Sequence, residues 1–327
     1  MKILIVDDDP IAIQLLSNCL LESGFSDLTA ATSAETAEHY IGDNTQNFDC
    51  FLLDISMPGK SGIELCADIR DVNRYQETPI LMITRMKERR SIEAAFQNGA
   101  TDYITKPFEY FEVAARIKIA QRLSMEGQAA LDGHLEMPSG IKGHAGSHSN
   151  VLLQQVNNSI AHQSSRLQGK NLLPIYVFRN YLERITRSDN CCVDVIAIRI
   201  ENIGKTYSLI KGDKFIEFLG VFVDAIRDFS AINKVFVTHI GDGTFLCAAD
   251  SVGYGTPEVV EQGVMQCFSR RISGVALRHE PILDITVSEP LQLLTASKPN
   301  FNRLLKATKT RVNIRLSEKI EKISMAS

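Results

Sequence analysis

Over residues 1–122 short apolar runs alternate with stretches of helical periodicity, and this alternation constrains the fold more than any other feature of the chain. The runs are Ile3 to Val6, Leu28 to Ala31, Cys50 to Leu53, Ile80 to Ile83 and the shorter Asp102 to Ile104. Each has strand length, and nearly continuous apolar runs are what strands buried on both faces show. Between them, Ile11 to Leu21, Ala34 to Ile41, Gly62 to Val72, Ile92 to Asn98 and Phe111 to Arg122 repeat apolar residues at helical spacing. The expected architecture is therefore α/β, a doubly wound (βα)5 unit with a parallel sheet. In open sheets of this kind ligands sit beyond the carboxyl ends of the strands, so chemistry is sought there.

At 327 residues the chain is long enough for a second globular unit. From Ser124 to about Asn150 the composition shifts to Gly, Ser and His, which reads as a flexible linker over 123–150 spanning roughly 25–30 Å. His134, His144 and His148 lie in it without supporting carboxylates or thiols, so they read as solvated linker and not as metal ligands. Val151, Leu152, Val156 and Ile160 suggest a connecting helix over 151–170. A second α+β pattern then covers 171–318, with strands expected at Asp194 to Ile200, Lys234 to Thr238 and Phe245 to Ala249, and a tail over 319–327.

A net charge of -4 provides no general attraction for nucleic acid or an anionic membrane, and no helix-turn-helix pattern follows residue 150. The seven cysteines are odd in number, scattered and without metal-binding spacing, which points to reduced thiols and a cytoplasmic setting. The N-terminus enters a strand directly and no segment has the length and apolarity of a membrane span, so neither a signal peptide nor a membrane association is expected.

Asp7 and Asp8 follow the first strand and Asp54 follows the third, so a parallel sheet brings all three carboxylates to one edge. Unpaired carboxylates that close repel one another, which makes a divalent cation their natural companion, and oxygen-only ligation suits Mg2+. Helix capping before Pro10 accounts for Asp9 and leaves Asp54 unexplained. Thr84 closes the fourth strand and Lys106 follows the fifth, adding a hydroxyl and an ammonium to the same edge. Together these groups suit phosphoryl transfer, with Asp54 as nucleophile, Lys106 and Mg2+ neutralising phosphoryl oxygens and Thr84 donating to them. A carboxylate is already ionised at neutral pH and needs no general base.

Residues 1–122 resemble the response-regulator receiver family, whose fold is flavodoxin-like. The matching pieces are Ile5 to Asp9, Leu53 to Gly59 with Gly62, Ile83-Thr84, and Gly99 to Phe108. The resemblance implies that Asp7, Asp8, Asp54 and the backbone carbonyl of Ser56 ligate Mg2+, that the Lys106-Pro107 bond is cis, and that Thr84 and Tyr103 act as the switch pair. It also implies a sensor histidine kinase or phosphotransfer protein as phosphoryl donor. The phosphate would add roughly -1.5 to -2 charges to the edge. One departure is Arg85, where the family usually has a small residue; its charge bears on how fast the phosphate is gained and lost.

Further along, Val235 to Cys247 reads as a hairpin with a Gly-Asp-Gly turn. With Asn171 to Tyr176, Tyr181 to Ile185, the strand Val195 to Ile200, Lys211 to Phe215 and Phe301 to Lys309, it follows the order of the GGDEF diguanylate cyclase family, which the region resembles over roughly 170–315. The family's signature carboxylates correspond to Gly243 and Thr244, and a metal-ligating aspartate to Arg199, with Glu201 two residues on. A cation there opposes Mg2+ binding. The loop after Ile203 is a few residues shorter than the family's, the product-binding Arg-x-x-Asp motif is replaced by Ile232 to Val235, and Asp213 alone survives. The expected whole is a phosphorylation-controlled regulator with a non-enzymatic, degenerate GGDEF-like output that contacts an unknown downstream protein or forms a homodimer. A non-catalytic GTP or c-di-GMP receptor and an active cyclase are the alternatives.

Overall fold

In the computed structural model, residues 1–85, 89–131, 172–187, 192–210, 212–230, 235–250, 255–273, 283–294 and 300–326 are described. The chain divides into two units, Met1–Ser139 and Gly140–Ser327.

The first unit runs β1 (Lys2–Val6), α1 (Pro10–Glu22), β2 (Asp27–Ala31), α2 (Ala34–Gly42), β3 (Cys50–Asp54), α3 (Gly62–Asp71), β4 (Ile80–Thr84), α4 (Arg89–Gln97), β5 (Asp102–Thr105) and α5 (Tyr110–Leu131). Its strands form one parallel sheet in the order β2-β1-β3-β4-β5. The alternation expected from the sequence is thus realised as a flavodoxin-like sheet. Ile3, Ile5, Leu52, Leu81, Ile83 and Ile104 point to one face and pack on Leu16 and Leu20 of α1 and Val113 and Ile117 of α5. Helices α2, α3 and α4 contact one another in sequence order. Local chemistry fixes the helix starts: Asp9 caps α1 by accepting from the Ile11 amide at 2.9 Å ahead of Pro10, and Ser61 with Glu64 forms a capping box on α3.

Helix α5 does not end near Arg122 but continues to Leu131, so 123–131 belong to a helix and not to a flexible linker. The stretch is rich in Gln, Leu, Met, Glu and Ala, which favour helix strongly enough to carry it through Gly127. The remaining linker residues, with His134, His144 and His148, and the expected helix over 151–170 lie outside the described residues.

The second unit runs α6 (Ile175–Ile185), β6 (Cys192–Ile200), α7 (Ile203–Leu209), α8 (Asp213–Phe229), β7 (Phe236–His239), β8 (Thr244–Asp250), α9 (Pro257–Ile272), β9 (Ile285–Val287), β10 (Leu291–Leu294) and α10 (Phe301–Ala326). Its antiparallel sheet has the order β10-β6-β8-β7, with β9 pairing β6 as well. The expected strands are present, and β9 and β10 are additional. One face is an apolar core of Ile196, Ile198, Val237, Phe245 and Cys247 against Phe215, Phe218 and Phe222 of α8 and Val264 and Phe268 of α9. On the other, Tyr181 of α6 packs on Phe236 with ring centroids 4.1 Å apart. The expected tail over 319–327 is the continuation of α10 as far as Ala326.

Candidate functional site

The parallel register sets the first unit's site. Val6 pairs with Leu53 and Asp54 with Ile83, so β1, β3 and β4 end side by side and deliver Asp7, Asp54 and Thr84 to one edge. Asp7 is fully buried, Asp54 and Thr84 are 4% and 2% exposed, and Asp8 is exposed. Carboxylate oxygens of Asp7, Asp8 and Asp54 lie within 4.8 Å of one another. Lys106 reaches over from the end of β5: its Nζ is 2.7 Å from Asp7 Oδ2 and 2.7 Å from Asp54 Oδ1. The other Asp54 oxygen, Oδ2, accepts from the Ser56 amide at 2.9 Å, and Asp7 Oδ1 accepts from the Asp9 amide at 3.0 Å.

The electrostatics follow from this geometry. Burial pushes the Asp7 carboxyl above its usual range, opposed by Lys106 and the Asp9 amide and reinforced by the neighbouring Asp54 charge. Burial works against the Lys106 ammonium too, but its hydrogen bonds to Asp54 and Asp7 outweigh that and raise its pKa, so it stays charged. One ammonium against three carboxylates leaves excess negative charge at an all-oxygen cluster with one solvent-facing member. That donor set fits a hard dication such as Mg2+, which Asp7, Asp8 and Asp54 would hold and which would supply charge neutralisation.

The edge is closed by backbone. The Lys106 amide donates to the Thr84 carbonyl at 2.7 Å and the Lys106-Pro107 bond is cis. A Cβ on Gly62 would lie 2.0 Å from the Asp54 carbonyl oxygen, so only glycine lets α3 start this close to Asp54. Tyr103 pairs with Met82 and is buried, and Arg85 is exposed just past Thr84. Lys60 was not singled out from the sequence. Its ion pairs with Glu38 of α2 and Asp68 of α3 tie the loop after β3 to both helices, and Glu38 is distant in the chain.

In the second unit the Gly241-Asp242-Gly243 turn has φ of 94°, 52° and 67°, the left-handed region that explains both glycines. Arg199 pairs across the sheet with Thr244 and Thr286, and its Nη1 donates to Asn313 Oδ1 at 2.8 Å. Glu201 accepts from the Thr286 hydroxyl, and Asp213 opens α8. Among the described residues, Asp7, Asp8 and Asp54 form the one cluster whose ligand atoms are close enough to share a cation, and no helix is long and apolar enough to cross a membrane.

Residues 3–118 match the response regulator receiver domain. The chain is 36% identical over 127 residues to the transcriptional regulatory protein KdpE of Staphylococcus aureus, covering 39% of this chain and 52% of that one. It is 35% identical over 125 residues to the chemotaxis protein CheY of Pseudomonas aeruginosa, covering 38% of this chain and 99% of that protein. A crystal structure of a two-component response regulator from Clostridium difficile matches 37% of this chain and 96% of its own at 34% identity, with a TM-score of 0.34. The match spans about half the length of the transcriptional regulators. A protein such as CheY, covered almost end to end at this identity, places the chain in the response regulator receiver family through residues 3–118.

Proposed function

We propose that the chain accepts a phosphoryl group on Asp54 from a histidine kinase or phosphotransfer protein and passes the signal on through its second unit by contact, without catalysis there. The observation that carries the first half is the Lys106 ammonium bridging the buried Asp7 and Asp54 at 2.7 Å each. It supports a role for Lys106 in neutralising the incoming group while an Asp54 oxygen forms the new P–O bond and the donor histidine's P–N bond breaks. Thr84, closing the neighbouring strand, would donate to a phosphoryl oxygen, and Tyr103 on β5 would respond to its movement. The Ser56 carbonyl would complete the ligand set of Asp7, Asp8 and Asp54.

For the second unit, the order strand, two helices, hairpin, helix, strands, helix is consistent with a GGDEF-like domain. Arg199, Gly243 and Thr244 stand where such a domain needs carboxylates, and Arg199 donates to Asn313. The reading is therefore a degenerate cyclase-like domain used as an interaction or dimerisation module.

Incubation with acetyl phosphate and Mg2+ followed by intact-mass measurement is expected to show one phosphoryl adduct, lost in Asp54→Ala. Chromatography after incubation with GTP and Mg2+ is expected to show no c-di-GMP. An adduct that survives Asp54→Ala overturns the first half, and c-di-GMP in the second assay overturns the other.

A further inference from the structure

Helix α10 docks on its own unit in two different ways along its length. In its first turns the inward positions Leu304, Thr308 and Val312, four residues apart, are 4%, 0% and 1% exposed. One turn further the partly buried positions are Arg315, Leu316 and Lys319, so two of the three are cations. Arg315 pairs with Glu258 of α9, and its Nε lies 3.7 Å from Glu261 Oε1. Lys319 Nζ lies 2.9 Å from Glu261 Oε2 and 3.9 Å from Glu201 Oε1, and donates to the Ile285 carbonyl at 2.7 Å. Asn313 accepts from Arg199 at 2.8 Å, and Arg311 donates to the Pro290 carbonyl.

The same segment turns Ile314 and Ile320 to solvent, 55% and 59% exposed. Cations thus face the domain where an apolar stripe would be expected, with Leu316 the apolar residue among them. The Arg315 Nε is also buried without a hydrogen-bond partner, an unfinished contact that weakens the resting position.

We infer that the segment of α10 from Asn313 onward is a latched arm, which the domain holds by charge through Glu201, Glu258 and Glu261 and can release without opening its core. Partly exposed ion pairs are individually weak and are screened by salt, whereas the Leu304–Thr308–Val312 stripe is anchored by burial. Local opening therefore starts at the polar end. Release uncovers the carboxylates of Glu258 and Glu261 on α9. The inference rests on neither phosphorylation nor the cyclase resemblance.

Hydrogen exchange read by mass spectrometry on the full chain tests it, in wild type, in Lys319→Glu, in Arg315→Glu and in Arg315→Glu combined with Glu258→Arg. Amides of 313–326 are expected to exchange about tenfold faster in either single variant, with 301–312 and β6 unchanged, and to recover in part in the double variant, where Glu261 still opposes position 315. Raising NaCl on the wild type should move the same amides in the same direction, a reading that needs no variant to fold. Equal protection of 313–326 in all proteins and salts overturns the inference, as does loss of protection over 301–312 in step with 313–326.

Discussion

His239 ends β7 with its Nε2 buried and without a hydrogen-bond partner, its ring 5.1 Å from that of Phe245. Burial pulls its pKa from the ordinary 6.5 down to about 4; Asp242 works against this and Lys309 adds to it. A histidine whose folded pKa is depressed contributes stability that is present above pH 6.5 and is lost as pH falls through 4. The second unit should therefore lose on the order of 2–3 kcal/mol between pH 7 and pH 4 from this residue. Urea midpoints across that range should show a smaller loss in His239→Leu, and an equal loss in the variant would assign the acid sensitivity elsewhere. Nothing in the sequence marked His239, because its burial depends on Phe245 across the hairpin. Asp7, Asp54 and Lys106 were legible for the opposite reason: each directly follows or ends a recognisable strand, and a parallel sheet aligns such ends.

Elements were legible in proportion to how much of their periodicity is apolar. Strands β1, β3 and β4 were readable because burial on both faces demands unbroken apolar runs. The ends of α5 and α10 were not, since Ser124 and Gly127 in one and the dense charges in the other look like helix stops. Close packing between helices was equally invisible. A Cβ on Gly263 of α9 would meet the Phe229 ring of α8 at 2.1 Å, so these helices approach to a distance only glycine allows. Alanine would gain about 1 kcal/mol of helix propensity but must displace the ring, at a cost of about 1–3 kcal/mol for overpacking. Gly263→Ala is expected to be destabilising on balance, by about 1 kcal/mol, as a lowered urea midpoint would show. A raised midpoint would mean that Phe229 swings aside freely.

At the scale of the molecule, each unit closes its own core: the α1 and α5 faces on one sheet, and α8 and α9 on the other. A unit with a complete core is able to fold alone, so residues 1–131 should unfold cooperatively in urea and still take one phosphoryl group from acetyl phosphate. A fragment that exchanges its amides freely would show that the first unit borrows stability from the rest. The two-unit organisation was legible from the compositional break, and the parallel sheet from its pattern. The antiparallel sheet was only half legible, because β9 and β10 are short and pair with β6 from far along the chain. Helix α5 finally changes how the first unit can report its state. Its 22 residues form a rod about 33 Å long whose inner end is clamped against the sheet by Val113 and Ile117. A tilt of about 10° at that clamp would sweep the far end, about 21 Å beyond Ile117, by about 4 Å, so a small adjustment of the sheet under Val113 and Ile117 would be enlarged along the helix.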